Sequence, residues 1–326
     1  MKNNPIIYVH YGVSKYLKYI FQCAKISNPN TDVILIGDAT NKQIALDYGL
    51  KHYNLKDFDF GEDLKIFDEV YELIATKEFD AYKHGDDWNK FVFRKWFILY
   101  NFVKKQGIKN FWHFDSDNAI ASDLSTLEHH YLDVDCTVQC HGLCFKGFFS
   151  NIEIINKYVK KINEVFLRKE YINKVKRAMA NHNGPGSFNE MTVYEIFIKE
   201  ENFKSILINK IFNDSVFGEV ICRSDGFKME KLPLGEDVQV IHLNDDGRFF
   251  CIEEATGKTV LSHTINLSWM PIYIYNTVLK HLKKNYGKPK QEFSAKSKTL
   301  AQISPPLKQR LKAWRKKFKA KLREKN

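Results

Sequence analysis

The amino-acid sequence predicts an α/β fold built on a parallel sheet. Three observations carry this prediction. Two strand-then-helix units fill the first 50 residues. A further apolar, aromatic run at residues 110–114 leads straight into Asp115-Ser116-Asp117. Beyond Glu236 the pattern shifts to short strand-like runs joined by a turn rich in Asp and Gly. The chain has 326 residues, 44% of them hydrophobic and 27% charged, which excludes collagen-like, low-complexity and wholly disordered classes. That length supports a sizeable core without disulfide staples.

Pro5 precedes Ile6-Ile7-Tyr8-Val9-His10, a short apolar run and the first strand. Ser14 offers a cap for a helix reaching Ser27, with Leu17, Ile20, Phe21 and Ala24 on one side. Pro29 and Asn30 interrupt, and Val33-Ile34-Leu35-Ile36 is a second buried-type strand closing on Gly37-Asp38. Residues 41–48 read as helix until Gly49 stops it. Residues 57–89 show no clear period. A longer helix at 90–106 ends at Gly107, and the strand at 110–114 follows. Residues 136–145 read as one strand, 151–179 as a helical stretch broken once, 181–187 as an irregular loop, and 189–199 as a helix. Residues 238–243 and 249–254 flank Asp246-Gly247, a hairpin signal, and a third run follows Lys258. The expected organisation is a catalytic domain over 1–276, a helical or linker extension over 277–303, and a tail over 304–326.

The charge is uneven. Residues 277–326 hold 17 Lys/Arg against two Glu, leaving 33 basic and 37 acidic residues in a mildly acidic body. A body of that sign argues against a nucleic-acid groove. In the tail, Leu307, Leu311, Trp314, Phe318 and Leu322 fall on one helical face, with Lys and Arg around the rest. Such a helix suits an anionic membrane surface. Apolar runs are too short to span a bilayer, and the N-terminus shows no signal-peptide core, so a cytoplasmic protein is expected, peripheral on the inner face of the membrane. The six cysteines form no CxxC pair. Cys136, Cys140 and Cys144 are even steps apart, which places them on one buried strand face and outweighs a zinc site with His141.

Asp115-Ser116-Asp117 is the sharpest chemical feature. Two carboxylates emerging two residues apart at the carboxyl end of a buried strand point the same way. That edge is where open α/β sheets bind ligands. Two such oxygen donors suit Mn²⁺ or Mg²⁺ shared with phosphates. The competing plain reading is a turn or helix cap after a strand.

The chain resembles GT-A-type bacterial glycosyltransferases of surface-glycan (lipopolysaccharide or capsule) biosynthesis. The segments that carry this are PIIYVHYGVSKYLKYIFQCAKISNPNTDVILIGD at the N-terminus, FRKWFILYNFVKKQGIKNFWHFDSDNAI at 93–120, and, more loosely, GPGSFNEMTVYEIF at 184–197. The resemblance implies a nucleotide-sugar-binding α/β sandwich. It implies a sugar donor, UDP ahead of GDP or CMP, and a glycan or lipid-linked acceptor. Asp115 and Asp117 would hold the metal and the donor diphosphate, with Ser116 between them. His10, Tyr11 and Gly12 would cradle the nucleotide, Asp38 would lie near base or ribose, and Arg94 would approach the donor. Glu190 would be the general base of an inverting reaction. The family often adds a late histidine as metal or phosphate contact, and His263 or Asn266 stands in that stretch.

Two rivals remain. A haloacid-dehalogenase-type phosphatase also places Asp-x-Asp after a buried strand, but Ala119 stands where that family expects Thr or Val, and Asp245-Asp246 sits in a hairpin turn. The tail alone would fit a non-enzymatic membrane-surface binding protein.

Overall fold

A computed structural model describes residues 3–80, 85–182 and 186–311. It opens with β1 (Ile6–Val9), α1 (Leu17–Ser27), β2 (Val33–Gly37), α2 (Ala39–Asp47) and β3 (Lys51–Asn54), so both expected strand-helix units are present, but α1 starts at Leu17 behind Tyr16 without the Ser14 cap, and α2 begins two residues earlier than expected. β1 and β2 are buried throughout, as continuous apolar runs are when a parallel sheet is covered on both faces. Asp38 caps α2, its side chain accepting the Thr40 N–H.

Next come α3 (Glu62–Val70), the single-turn α4 (Lys77–Asp80), α5 (Gly85–Lys105), β4 (Phe111–His113) and β5 (Asn118–Ile120). The stretch without clear period at 57–89 therefore contains a real helix, α3, which buries Leu64 and Phe67. α5 begins five residues before the expected start, with Asp86 and Asp87 in its first turn, where acidic side chains complement the helix dipole.

The single strand expected at 136–145 is a hairpin instead. β6 (Cys136–Gln139) and β7 (Cys144–Phe149) pair antiparallel. The reversal uses three successive left-handed residues, Cys140 (φ 55°), His141 (φ 56°) and Gly142 (φ 84°). Only the last is a glycine, so the turn carries none of the usual dipeptide signals. The one-face argument for the three cysteines fails with it. Cys136 lies on β6, Cys140 in the turn and Cys144 on β7.

The chain continues through α6 (Glu153–Leu167), α7 (Lys169–Ala180), α8 (Glu190–Glu200), β8 (Ser205–Leu207), β9 (Ser215–Val220), β10 (Met229–Lys231), β11 (Asp237–Gln239), β12 (Ile241–Leu243), β13 (Phe249–Ile252), β14 (Thr259–Asn266) and α9 (Ile272–Asn285). The break within 151–179 falls between α6 and α7. The run at 238–243 splits into β11, which pairs with β10, and β12, which pairs with β13 around the predicted Asp-Gly hairpin.

Where the sequence reads as one large domain up to 276, the chain forms two compact units, each assembled from separated stretches. The first comprises residues up to 13, 30–116 and 125–208. Its seven-stranded sheet has the order β3-β2-β1-β4-β7-β6-β8, with β1 to β4 mutually parallel and β7 antiparallel to β4 and to β6. α5 and α6 bury Phe93, Trp96, Phe97, Tyr158 and Phe166 in its core. Ring pairs such as Phe67–Phe97 (5.1 Å) and Phe145–Tyr194 (4.5 Å) lock it. Each such side chain contributes roughly 1.5–3 kcal/mol by leaving water.

The second unit comprises residues 14–29, 117–124 and those from 209 on. It has a mixed sheet, β12-β13-β14-β5, with β9 parallel to β14. Helices α1 and α9 pack together there: Tyr16 stacks on Tyr275 (5.4 Å), and the Tyr286 hydroxyl donates to the Ser27 carbonyl at 2.7 Å. α9 runs across residue 276, the expected end of the catalytic domain. Residues 307–311 are helical, and the rest of the amphipathic tail lies outside the described residues. Among the described residues no helix is long and apolar enough to cross a membrane.

Candidate active site

In the first unit β2 and β4 flank β1, although β4 comes long after β3 in the chain. The strand order therefore reverses between β1 and β4, and open α/β sheets bind ligands outside the carboxyl ends at such a point. His10 leaves β1 there, and Asp115-Ser116 follows β4. The His10 Nδ1 and Ser116 Oγ are 2.7 Å apart, which ties the two strand ends together. Burial lowers the His10 pKa to about 4, against a small opposing pull from Asp38, so the ring is neutral near pH 7.

The adjoining turn is pre-formed. Asp38 accepts the Gly12 N–H at 2.5 Å and the Thr40 N–H at 2.7 Å, and also holds the Thr40 hydroxyl. Asn41 Nδ2 donates to the carbonyls of His10 (3.2 Å) and Gly12 (3.0 Å). Gly12 has φ 77°, a conformation that favours glycine. Burial would raise the Asp38 carboxyl, but the Thr40 hydroxyl and the N–H groups of Gly12, Thr40 and Asn41 hold it below its ordinary value. Asp38 is thus engaged in fixing the loop. Tyr11 is exposed, its ring 5.7 Å from that of Phe91.

Asp115 is the centre of an ionic cluster. Lys95 Nζ lies 3.2 Å from its Oδ1, and Lys146 Nζ 3.0 Å from its Oδ2. Lys95 also lies 3.8 Å from Glu190 Oε1. The lysine side chains are 12% and 5% exposed, and Asp115 is 43% exposed, so the carboxylate is the open end of the cluster. Lys95 rides on α5 beside the buried Trp96, its ammonium 5.3 Å from that ring. Lys146 is aimed by an irregularity in the β6–β7 pairing. The Thr137 hydroxyl donates to the Lys146 carbonyl at 2.6 Å and accepts the Phe148 N–H at 2.7 Å. Gly147 between them has φ 99°, and a Cβ there would collide with the Thr137 hydroxyl.

Glu190 opens α8 behind its cap Asn189, whose side chain accepts the Met191 N–H at 3.1 Å. The Tyr158 hydroxyl donates to the Glu190 carbonyl at 2.6 Å. Glu190 borders a small cavity with Trp96, Tyr158 and Tyr194. This burial raises its carboxyl pKa, with Lys95 opposing. Burial would do the same to Asp115, but Lys146, Lys95 and His113 hold it well below the usual carboxylate range. Two acids sharing one lysine are thus pushed apart, Asp115 toward its ionised form and Glu190 toward its protonated form.

No family model and no curated protein matches the chain. Solved structures similar to it include the PaToxG glycosyltransferase (16% identity, TM-score 0.35), over 61% of this chain and 68% of that one. The glycosyltransferase GlyE of Streptococcus pneumoniae TIGR4 (13%, TM-score 0.35) aligns over 63% of this chain and 45% of its own. A cytidylyltransferase from Leptospira borgpetersenii serovar Hardjo-bovis strain JB197 (11%, TM-score 0.29) aligns over 61% of this chain and 94% of its own. Likenesses at these TM-scores carry no weight for this chain's chemistry, which stands on its own residues.

Of the residues singled out from sequence, His10 meets Ser116, Gly12 meets Asp38, and Asp115 and Glu190 meet through Lys95. The Arg94 guanidinium is engaged by Asp59 at 2.5 Å and by Asp68. Its neighbour Lys95, with Lys146, is a cation beside Asp115. Asp117 and His263 belong to the second unit. There Asp117 Oδ2 lies 2.5 Å from the Ser268 hydroxyl, and its Oδ1 accepts from Asn118 Nδ2 at 3.1 Å. His263 is buried, with Nδ1 2.9 Å from the Ser122 hydroxyl and its ring 5.1 Å from that of Phe217. Lys146 went unnoticed in the sequence. Its one signal is a lone lysine inside the apolar run Phe145-Lys146-Gly147-Phe148.

The divalent cation implied by the family resemblance fits poorly at Asp115. Both oxygens of that carboxylate already face an ammonium group. A doubly charged ion here would be attracted by one carboxylate whose single charge is already shared by two ammonium groups, and would be repelled by both of those.

Proposed function

We propose that this chain is a glycosyltransferase of GT-A type, moving a sugar from a nucleotide-sugar donor to a hydroxyl of a glycan or lipid-linked acceptor. The observation that carries the reading is the pairing of a half-buried Glu190 with Asp115 through Lys95, in the unit whose strand order reverses between β1 and β4. The acceptor oxygen attacks the anomeric carbon while Glu190 takes its proton. The bond from that carbon to the donor phosphate breaks, and the nucleotide leaves with the electron pair. The His10–Gly12 turn, with the exposed Tyr11, is suited to receive the nucleotide, UDP being the first choice. The segment over 304–326, whose sequence pairs large apolar residues with Lys and Arg, suits an anionic membrane surface on the cytoplasmic side and hence a surface-glycan intermediate as acceptor.

A screen of UDP-, GDP- and CMP-sugars, read by hydrolysis of each donor, tests the assignment. Consumption of one donor class supports it. Consumption of none, together with release of phosphate from p-nitrophenyl phosphate, replaces it with the phosphatase reading. Flotation of the full chain with liposomes of anionic and of neutral lipid tests the tail, and Trp314→Glu with Phe318→Glu should abolish any preference for anionic vesicles.

A further inference from the structure

We propose that the outer face of α1 and α9, in the second unit, docks on an anionic lipid bilayer. The proposal stands apart from the transfer chemistry and extends the membrane assignment from the tail to the folded body. Tyr16 stacks on Tyr275 near the start of the two helices, and the Tyr286 hydroxyl donates to the Ser27 carbonyl at their ends, so α1 and α9 run side by side in one direction. Between these points Lys283 Nζ donates to Gln22 Oε1, and Gln22 Nε2 donates to the Lys18 carbonyl. Lys280 lies one helical turn from Lys283 and Lys284. The lysines of both helices therefore border one surface. α1 and α9 bury Ile20, Phe21, Val278 and Leu282 and leave Lys18, Lys280, Lys283 and Lys284 exposed.

Neither helix contains an Asp or Glu. Lys18 stands in the first turn of α1, where the helix dipole favours an acid, so helix stability does not account for it. In the first unit the exposed Lys176 and Lys199 are met by Glu72 and Glu195. Among the described residues Lys18, Lys280, Lys283 and Lys284 form no ion pair. Two carboxylates of the β12–β13 turn, Asp245 and Asp246, act on α9 at His281, and Asp246 is already paired with Arg248. Like charges gathered on one side repel, and an opposing surface of negative charge relieves that repulsion. Clusters of this size are drawn to anionic headgroups. Lipid is favoured over nucleic acid because the same unit also exposes apolar side chains. Leu307 and Leu311 are four residues apart in helical backbone and 63% and 48% exposed, with Lys308 and Arg310 between them. Those leucines gain from an acyl boundary and gain nothing from a phosphodiester backbone.

The test is cosedimentation of the full chain, its tail intact, with phosphatidylcholine vesicles that carry or lack phosphatidylglycerol, at low and at high salt. The native chain should prefer the anionic vesicles, and salt should weaken that preference. Lys18→Gln combined with Lys280→Gln and Lys284→Gln should weaken binding to anionic vesicles by about a hundredfold, about fivefold for each lysine. Binding to neutral vesicles should stay as it is. Arginine at the same three positions should keep native binding, since the bilayer reads charge. Thermal melting checks that each variant folds, and Lys280→Gln alone, at about fivefold, carries the test if the triple variant does not. Glutamine variants that bind anionic vesicles like the native chain overturn the inference. So does a native chain that binds double-stranded DNA more tightly than anionic vesicles at equal salt. Neither result touches the transferase reading, which the donor screen decides.

Discussion

Asp115 and Asp117 stand two residues apart and have different surroundings. Asp115, in the first unit, faces two nearly buried ammonium groups and sits in an ionic cluster with Glu190. Asp117, in the second unit, faces a hydroxyl and a side-chain amide. The Asp117 carbonyl also accepts the Leu267 N–H at 3.0 Å, so this residue helps join β5 to the end of β14. The lesson is that spacing along an extended chain says where two side chains start, and the non-local partners decide what each one does. Ion pairs with two ammonium groups give Asp115 an electrostatic task, while hydrogen bonds from a hydroxyl and a side-chain amide fasten Asp117 within its own unit.

That contrast breaks or sharpens in four ways. The largest effect belongs to Glu190→Gln, which should lower turnover by about 10²–10⁴-fold, the range for loss of a general base, with donor binding little changed. Steady-state kinetics beside calorimetry would check it, and an equal loss in both would leave Glu190 a binding residue. Asp115→Asn should come next, costing about 2–3 kcal/mol in urea unfolding. That is less than the 3–5 kcal/mol of a fully buried broken pair because Asp115 is partly exposed, and activity should go with it.

Acidification follows. His10 and His113 are both lowered by burial to about 4 from 6.5, so the folded chain holds them neutral. Their stabilisation is complete above pH 6.5 and is lost as pH falls from 6.5 to 4, by about 2–3 kcal/mol for each ring. Asp115, lowered in the fold, keeps its contribution above its unfolded value and gives it up only at still lower pH. Urea midpoints at pH 7 and pH 4.5 would show the drop, and His10→Gln should shrink it. A variant as acid-sensitive as the native chain would remove His10 from the account. The smallest effect is expected from Asp117→Asn, about 1 kcal/mol, the scale of one hydrogen bond. Turnover abolished at Asp117 as thoroughly as at Asp115 would give the two carboxylates one shared role and end the contrast.

Much of the scaffold was legible because it depends on neighbours in sequence. β1 and β2 announce themselves as unbroken apolar runs, and Asp246-Gly247 turns a hairpin. The β6–β7 reversal was hidden because His141 adopts a left-handed conformation that non-glycine residues seldom take. α3 was hidden because it is short, nine residues, and fully buries only Leu64 and Phe67.

The sequence by itself determined that two strand-helix units open the chain, that Asp115 emerges at a strand's carboxyl end, and that Glu190 lies at the start of a helix. Those are consequences of local propensity, capping and periodicity. Tertiary structure alone decided that β7 lies antiparallel beside β4, that a glycine irregularity aims Lys146 at Asp115, and that Lys95 stands between two carboxylates. The reason is physical. Charge interactions act through space between groups that strand pairing brings together from 20 to about 95 residues apart along the chain, and no local pattern encodes that pairing.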